Sequence, residues 1–194
     1  MNQTQGTPTA DSSIPGDTTP GDTTEVVVET HGMGEKLNRL RAAVLGANDG
    51  IVSTAAVLVG VAGATSDSRT IAMSGMAAVV GGAVSMALGE YVSVSSQRDS
   101  ERVMGETELV NPYSAAIASF ISFVLGAALP FAAAVLAPVW TIFAVTLVAL
   151  VLTGTLSAKL VSAPLAPAIG RIVGGGMLAL AVTFAAGWMF GAAV

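Results

Sequence analysis

The sequence predicts an all-α integral membrane protein with five transmembrane helices, its amino terminus cytoplasmic and its carboxyl terminus outside. Three observations carry this expectation. Of 194 residues, 53% are hydrophobic and only 11% are charged, whereas a soluble domain carries roughly 25% charged residues. Five apolar stretches follow one another, each long enough to cross about 30 Å of hydrocarbon at ~1.5 Å per helical residue. The basic residues alternate with those stretches: Lys36, Arg39, Arg41, Arg98, Arg102, Lys159 and Arg171 fall on one side and only Arg69 on the other. Basic residues mark the cytoplasmic side, which sets the orientation, and a missed or invented span would have broken the alternation.

Residues 1–34 are rich in Thr, Gly, Pro and Asp and have little to bury, so they read as a disordered cytoplasmic tail. No basic segment leads into an apolar core there, so it is not a secretory signal peptide. The rest, 35–194, reads as one five-helix membrane domain. Its first span is placed at about 42–64 and its second at about 71–94. The third, about 114–137, contains Pro130, expected to kink it, and ends at Ala137-Pro138, where proline cannot continue a helix. A tight hairpin then leads into the fourth span, about 139–158. Residues 159–171, KLVSAPLAPAIGR, read as a loop near the interface because of their two prolines. The fifth span is placed at about 172–193, where Gly187 and Gly191 make a small-xxx-small packing pattern. Trp140 and Trp188 read as interface anchors.

Composition removes several chemistries. The chain has no cysteine, so disulfides, thiolate metal sites and a Cys nucleophile are excluded. Its one histidine, His31, lies in the tail, which leaves no His-rich zinc site, no serine–histidine triad and no expectation of an enzyme. The mean hydropathy is +0.72, and no basic patch supports nucleic-acid binding. The net charge of -5 comes mostly from the tail.

Two acids remain within the spans. Asp49 lies about two turns into the first, in LGANDGIVSTAAVLVGV, and Glu90 lies in the cytoplasmic third of the second, in GGAVSMALGEYVSVSSQRD. An acid at the centre of a spanning helix costs roughly 2.5–3.5 kcal/mol, and such residues mark ion or proton pathways by default. Gly82, Met86, Glu90, Ser93 and Gln97 recur at three- and four-residue spacing, which puts Met86 one turn deeper than Glu90 on the same helix face. Gly46, Asp49 or Gly50, and Ser53 form a similar stripe on the first span, and glycine lets two such faces approach. Carboxylate oxygen with thioether sulfur suits Fe(II) or Mn(II) better than Mg(II) or Ca(II), with zinc and cobalt left open. One chain supplies too few ligands for a closed site, whereas a homodimer about a two-fold axis doubles them. Acids that take up protons when the metal leaves would give metal–proton exchange. Structural readings stand beside these: Asp49 bracing a helix break at Asn48-Asp49-Gly50, and Glu90 solvated or paired with Arg98.

With those residues in view, LGANDGIVSTAAVLVGVAGA, GGAVSMALGEYVSVSSQRDSE and NPYSAAIASFISFVLGAALP resemble the vacuolar iron transporter family, well over about 38–137 and by pattern beyond. The resemblance implies a five-helix dimer exporting Fe(II), often with Mn(II), from the cytoplasm in exchange for protons. It also implies that Asp49 and Met86 contribute to the path. The vacuolar type carries a further acid where this chain has Ala78 and lacks the glutamate at Glu90, so the chain is closer to the bacterial and nodulin-like branch. Many members also insert a glutamate-rich helical domain between the second and third spans. Here that region shrinks to about Arg98–Asn111, with Asp99, Glu101, Glu106 and Glu108.

The resulting expectation is proton-coupled export of Fe(II) or Mn(II) by a dimer with no tightly bound cofactor, in a bacterial plasma membrane. Asp49, Met86 and Glu90 are the metal-contacting residues, and Tyr91, Ser93, Glu101, Glu106 and Glu108 are weaker candidates. The alternatives are a non-transporting sensor or assembly partner on the same scaffold, and a passive cation channel.

Overall fold

The structure is a computed structural model, and it describes residues 33–106 and 109–193. Five helices account for nearly all of them: α1 Met33–Ala64, α2 Ser68–Val103, α3 Pro112–Leu136, α4 Trp140–Leu160 and α5 Leu165–Ala193. All five are long and apolar enough to cross a membrane, and there is no strand among the described residues. This is a multi-pass membrane protein, all-α with five helices as the sequence predicts.

α1 is the central helix and touches each of the other four. Its glycines set how closely. A Cβ on Gly50 would lie 2.1 Å from the carbonyl oxygen of Phe123 on α3, and one on Gly126 would lie 2.3 Å from that of Ala47. Backbones this close exclude any larger residue, and dispersion attraction across so narrow a seam is a principal source of helix association in lipid. At the other end of α1 the pair seen in the sequence is used as expected, with Gly187 of α5 against Gly60 and Gly191 against Ala64. Between these seams, Leu58, Val59, Ile142 and Leu180 close the centre of the bundle and are fully or almost fully buried. The outward surface carries Met73, Val80, Val84, Leu125, Val148 and Leu178, all exposed, as a surface facing lipid requires.

Helix ends follow local chemistry. Asn111 Oδ1 accepts from the backbone N–H of Tyr113 (3.0 Å) and of Ser114 (3.3 Å), with Pro112 in the first turn, where its missing N–H costs nothing. Pro130 is buried inside α3, which continues through it. Ala137 is extended, and α4 starts at Trp140, so the third and fourth spans form the expected hairpin.

Three boundaries differ from those expected from the sequence. α1 begins at Met33, so the last two residues of the expected tail are helical; residues 1–32, with His31, lie outside the described residues. α2 continues to Val103, which makes Arg98, Asp99 and Glu101 helical rather than part of a loop. No breaker stands between Val94 and Gly105, Gln97 pairs with Glu101 at 2.8 Å, and Gly105 at φ 78° is where the backbone turns away. α5 begins at Leu165, since Pro167 falls in its first turn and is tolerated there. The expected loop 159–171 is therefore only a short connection. Apolar spans end where hydrocarbon ends, but helices end where a capping residue or glycine stops them.

Of the basic residues that alternate in the sequence, all but Arg69 gather at one end. There Glu35 of α1 accepts from the Ser114 hydroxyl of α3 (3.1 Å), and Leu37 of α1 shares a groove with Leu160 of α4. Trp140 and Trp188, at the opposite end, are exposed.

Candidate metal site

α1 and α2 diverge enough to leave a groove of ≈ 430 Å³ between them. From α1 it is lined by Leu45, Asp49, Ser53 and Val57, one residue per turn along a single face. From α2 it takes Ala78, Gly82, Ser85, Met86, Gly89 and Glu90. The three residues chosen from the sequence, Asp49, Met86 and Glu90, therefore share one wall-to-wall space although they come from two helices. α1 is unbroken through Asn48-Asp49-Gly50, so Asp49 braces no helix break. Its carboxylate is half-buried and accepts no hydrogen bond from the described residues, and Ser53 Oγ donates instead to its backbone carbonyl (2.6 Å).

The glycine stripe of α1 does not face this groove, contrary to the expectation from sequence. Gly46 and Gly50 point at Ser119 and Phe123 of α3, about a quarter-turn from Asp49 on a helix of ~3.6 residues per turn. The small residues bring α1 onto α3, and the acidic face is left open toward α2. The glycine of α2 does contribute: a Cβ on Gly82 would lie 2.4 Å from Cζ of Phe123. That fully buried ring fills the space behind the groove, and Met86 packs against its cluster with Ala83 and Ala127.

Glu90 is 6% exposed. It pairs with Arg41 of α1, whose Nη2 donates to Glu90 Oε1 at 2.7 Å and to Asn38 Oδ1 at 3.1 Å. Arg98, the partner considered from the sequence, does not take this role, and its Nε is buried with no hydrogen-bond partner among the described residues. Arg41 was not among the residues expected at the site. Its only signal in the sequence is depth, since Arg41 and Glu90 both lie a few residues inside the same end.

The weaker candidates scatter. Tyr91 packs at a tilt against Tyr113 of α3, with ring centroids 5.1 Å apart, and Ser93 is exposed; neither lines the groove. Glu101 is spent on structure: Oε1 accepts from Gln97 and Oε2 from the backbone N–H of Val110 (3.1 Å). Glu106 is exposed at the end of that turn, and Glu108 lies outside the described residues. Among the described residues no three acids or histidines come together as a metal cluster. Two carboxylates and a thioether facing one space can hold a divalent cation only with ligands added from elsewhere.

The sequence matches the profile of the VIT family over residues 40–109 and 102–188. It is 44% identical over 159 residues to vacuolar iron transporter homolog 4 of Arabidopsis thaliana, an alignment covering 75% of this chain and 80% of that one. It is 45% identical over 159 residues to homolog 1 of the same plant, with the same coverage. Homolog 5 of Oryza sativa subsp. japonica is 42% identical over 164 residues, covering 77% of this chain and 79% of the relative.

Proposed function

The chain belongs to the VIT family, and on that premise we propose that it transports Fe(II) or Mn(II) out of the cytoplasm in exchange for protons, as a homodimer. Its relatives carry iron transport in their names, and members of such a family are carriers rather than enzymes. The single observation that supports this chain doing the same is the groove between α1 and α2 into which Asp49, Met86 and Glu90 all open. Oxygen and sulfur donors together favour Fe(II) or Mn(II) over Mg(II) and Ca(II).

The dimer follows from what one copy lacks. Two carboxylates and one thioether leave a six-coordinate ion short of ligands, and α2 is covered by the rest of the chain on one side only, with Val80, Val84, Leu88 and Val92 exposed. A second copy apposed across this groove doubles the ligand set about a two-fold axis. Protons are the natural counter-ions, because Asp49, which has no cationic partner among the described residues, can accept a proton when the metal leaves. With the basic end in the cytoplasm, Glu90 is the nearer and Asp49 the deeper carboxylate. The Ala- and Gly-rich composition leads us to place the protein in a bacterial plasma membrane.

The deciding experiment is Mn(II) and Fe(II) uptake into proteoliposomes holding only this protein, with an imposed pH difference. Uphill metal movement that collapses with the pH difference supports exchange. Downhill movement indifferent to pH would mean a channel, and no movement would mean a scaffold without transport.

A further inference from the structure

We propose that Arg41 is the standing counter-ion of Glu90 in the groove wall: it occupies Glu90 while metal is absent, and an arriving ion must displace it. The proposal rests on the groove being a metal site, and it adds a residue that decides which ions enter.

Glu90 is almost completely buried, and an ionised carboxylate there without a partner is strongly unfavourable. Arg41 supplies the partner through a charge-assisted bond of 2.7 Å, reaching across from α1. Yet Arg41 itself is 54% exposed, so the pair is sealed on the acid's side and open on the guanidinium's. Here one member is fixed on a helix wall and the other can swing away without being dragged through the bundle.

Two features give the displaced guanidinium somewhere to go. Asn38 Oδ1 already accepts from the same Nη2 at 3.1 Å, a neutral acceptor one turn back on α1 that keeps hold when the carboxylate is taken. Arg41 also lines a second groove of ≈ 450 Å³ on the other side of α1, among Leu37, Leu40 and Val44, where its methylene stem can lie along apolar surface. The residue thus lines the second groove while its guanidinium reaches Glu90, a wall residue of the first.

The exchange discriminates by charge. A monovalent ion replacing Arg41 brings no more charge than it removes and forfeits a directed hydrogen bond. A divalent ion brings twice the charge, and along the same groove Asp49 and Met86 offer it further donors that Arg41 leaves unoccupied. An empty groove is in this way spared a bare buried acid, and sodium or potassium is refused.

The test uses the full-length protein in nanodiscs, with Mn(II) as the probe. Arginine modification by phenylglyoxal is followed by peptide mass spectrometry, and Mn(II) binding by equilibrium dialysis. Arg41 should be modified severalfold faster once Mn(II) is bound, with Arg39 and Arg102 unchanged. In E90Q it should be fast from the outset and insensitive to metal. R41Q, measured beside the wild type at the same pH, should bind Mn(II) about tenfold tighter and admit competition by sodium. Unchanged Arg41 reactivity in protein that demonstrably binds Mn(II), or R41Q binding no tighter than wild type, would overturn the proposal and leave the metal site standing. An absence of Mn(II) binding in the wild type would overturn both.

Discussion

The ring of Phe123 lies against the bare backbone of Gly82, so closely that a Cβ there would sit 2.4 Å from Cζ. Phe123 is fully buried and its own backbone carries α3 up to Gly50 of α1. One side chain therefore spaces α2 from the α1–α3 pair and fixes the width of the groove that holds Asp49 and Met86. Gly82→Ala should overpack this contact and lower stability by about 1–3 kcal/mol, read as a drop in melting temperature in detergent. Adding Phe123→Leu should recover part of that loss, because residues in contact do not act additively. Strict additivity in the double-mutant cycle would mean that the ring does not set the spacing.

Asp49 and Met86 face the same space but should fail differently. Asp49→Asn keeps the shape and removes the charge. It should cost Mn(II) affinity at least the roughly 10–100-fold that losing even an outer-shell partner of a metal costs. Met86→Leu conserves volume and should change stability by less than ~1.5 kcal/mol, while narrowing the preference for Mn(II) over Mg(II) as sulfur is lost. Competition of Mg(II) against Mn(II) in both variants checks this. A Met86→Leu protein with unaltered preference would reduce Met86 to packing.

How far the sequence reached is clearest at these residues. Asp49, Met86 and Glu90 could be chosen because an acid inside an apolar span is costly, and helical spacing alone put Met86 and Glu90 on one face. Their convergence needed a second helix at the right rotation, which periodicity cannot supply. The glycines of α1 were expected to meet α2, and they meet α3 instead. Glycine marks close approach without naming the partner. Arg41 escaped because its link to Glu90 joins positions 49 residues apart, and nothing local to either records it. The helix limits differ from the hydropathy limits because hydropathy measures the membrane, whereas α2 continues past it on Gln97–Glu101 pairing.

The seam between α1 and α5 is the least forgiving part of the bundle. A Cβ on Gly187 would lie 1.7 Å from the carbonyl oxygen of Gly60, and a backbone atom cannot step aside as a side-chain tip can. Gly187→Leu should therefore cost about 3 kcal/mol or more and show as loss of monodisperse protein. Gly174→Leu, on the same helix with open space at its Cβ, should be nearly silent. Equal behaviour of the two would remove the case for close packing at this seam.

Glu101 should prove structural. With one oxygen on Gln97 and the other on the Val110 N–H, it ties the end of α2 to the segment entering α3. Glu101→Ala should release that segment and speed proteolysis between residues 104 and 111 roughly fivefold, as expected for losing ~1 kcal/mol of local hydrogen bonding. Glu101→Gln keeps an acceptor and should be milder. Neither should change Mn(II) affinity; a loss of affinity in both would return Glu101 to the metal path.

At the opposite end, Asp67 caps α2 by accepting from the Thr70 hydroxyl and from its backbone N–H (2.9 Å). These hydrogen bonds, the hydroxyl's foremost, hold the Asp67 carboxyl below its ordinary value of 3.8. A carboxyl depressed in the folded state binds protons less readily there than in the unfolded chain. Its contribution is therefore complete above the ordinary value and is lost as pH falls through the lower, folded one. Asp67→Ala should lower the melting temperature at neutral pH and leave it nearly unchanged in strong acid, where the wild-type cap is already protonated. A deficit that persists undiminished below the folded value would show that Asp67 acts through packing and not through its charge.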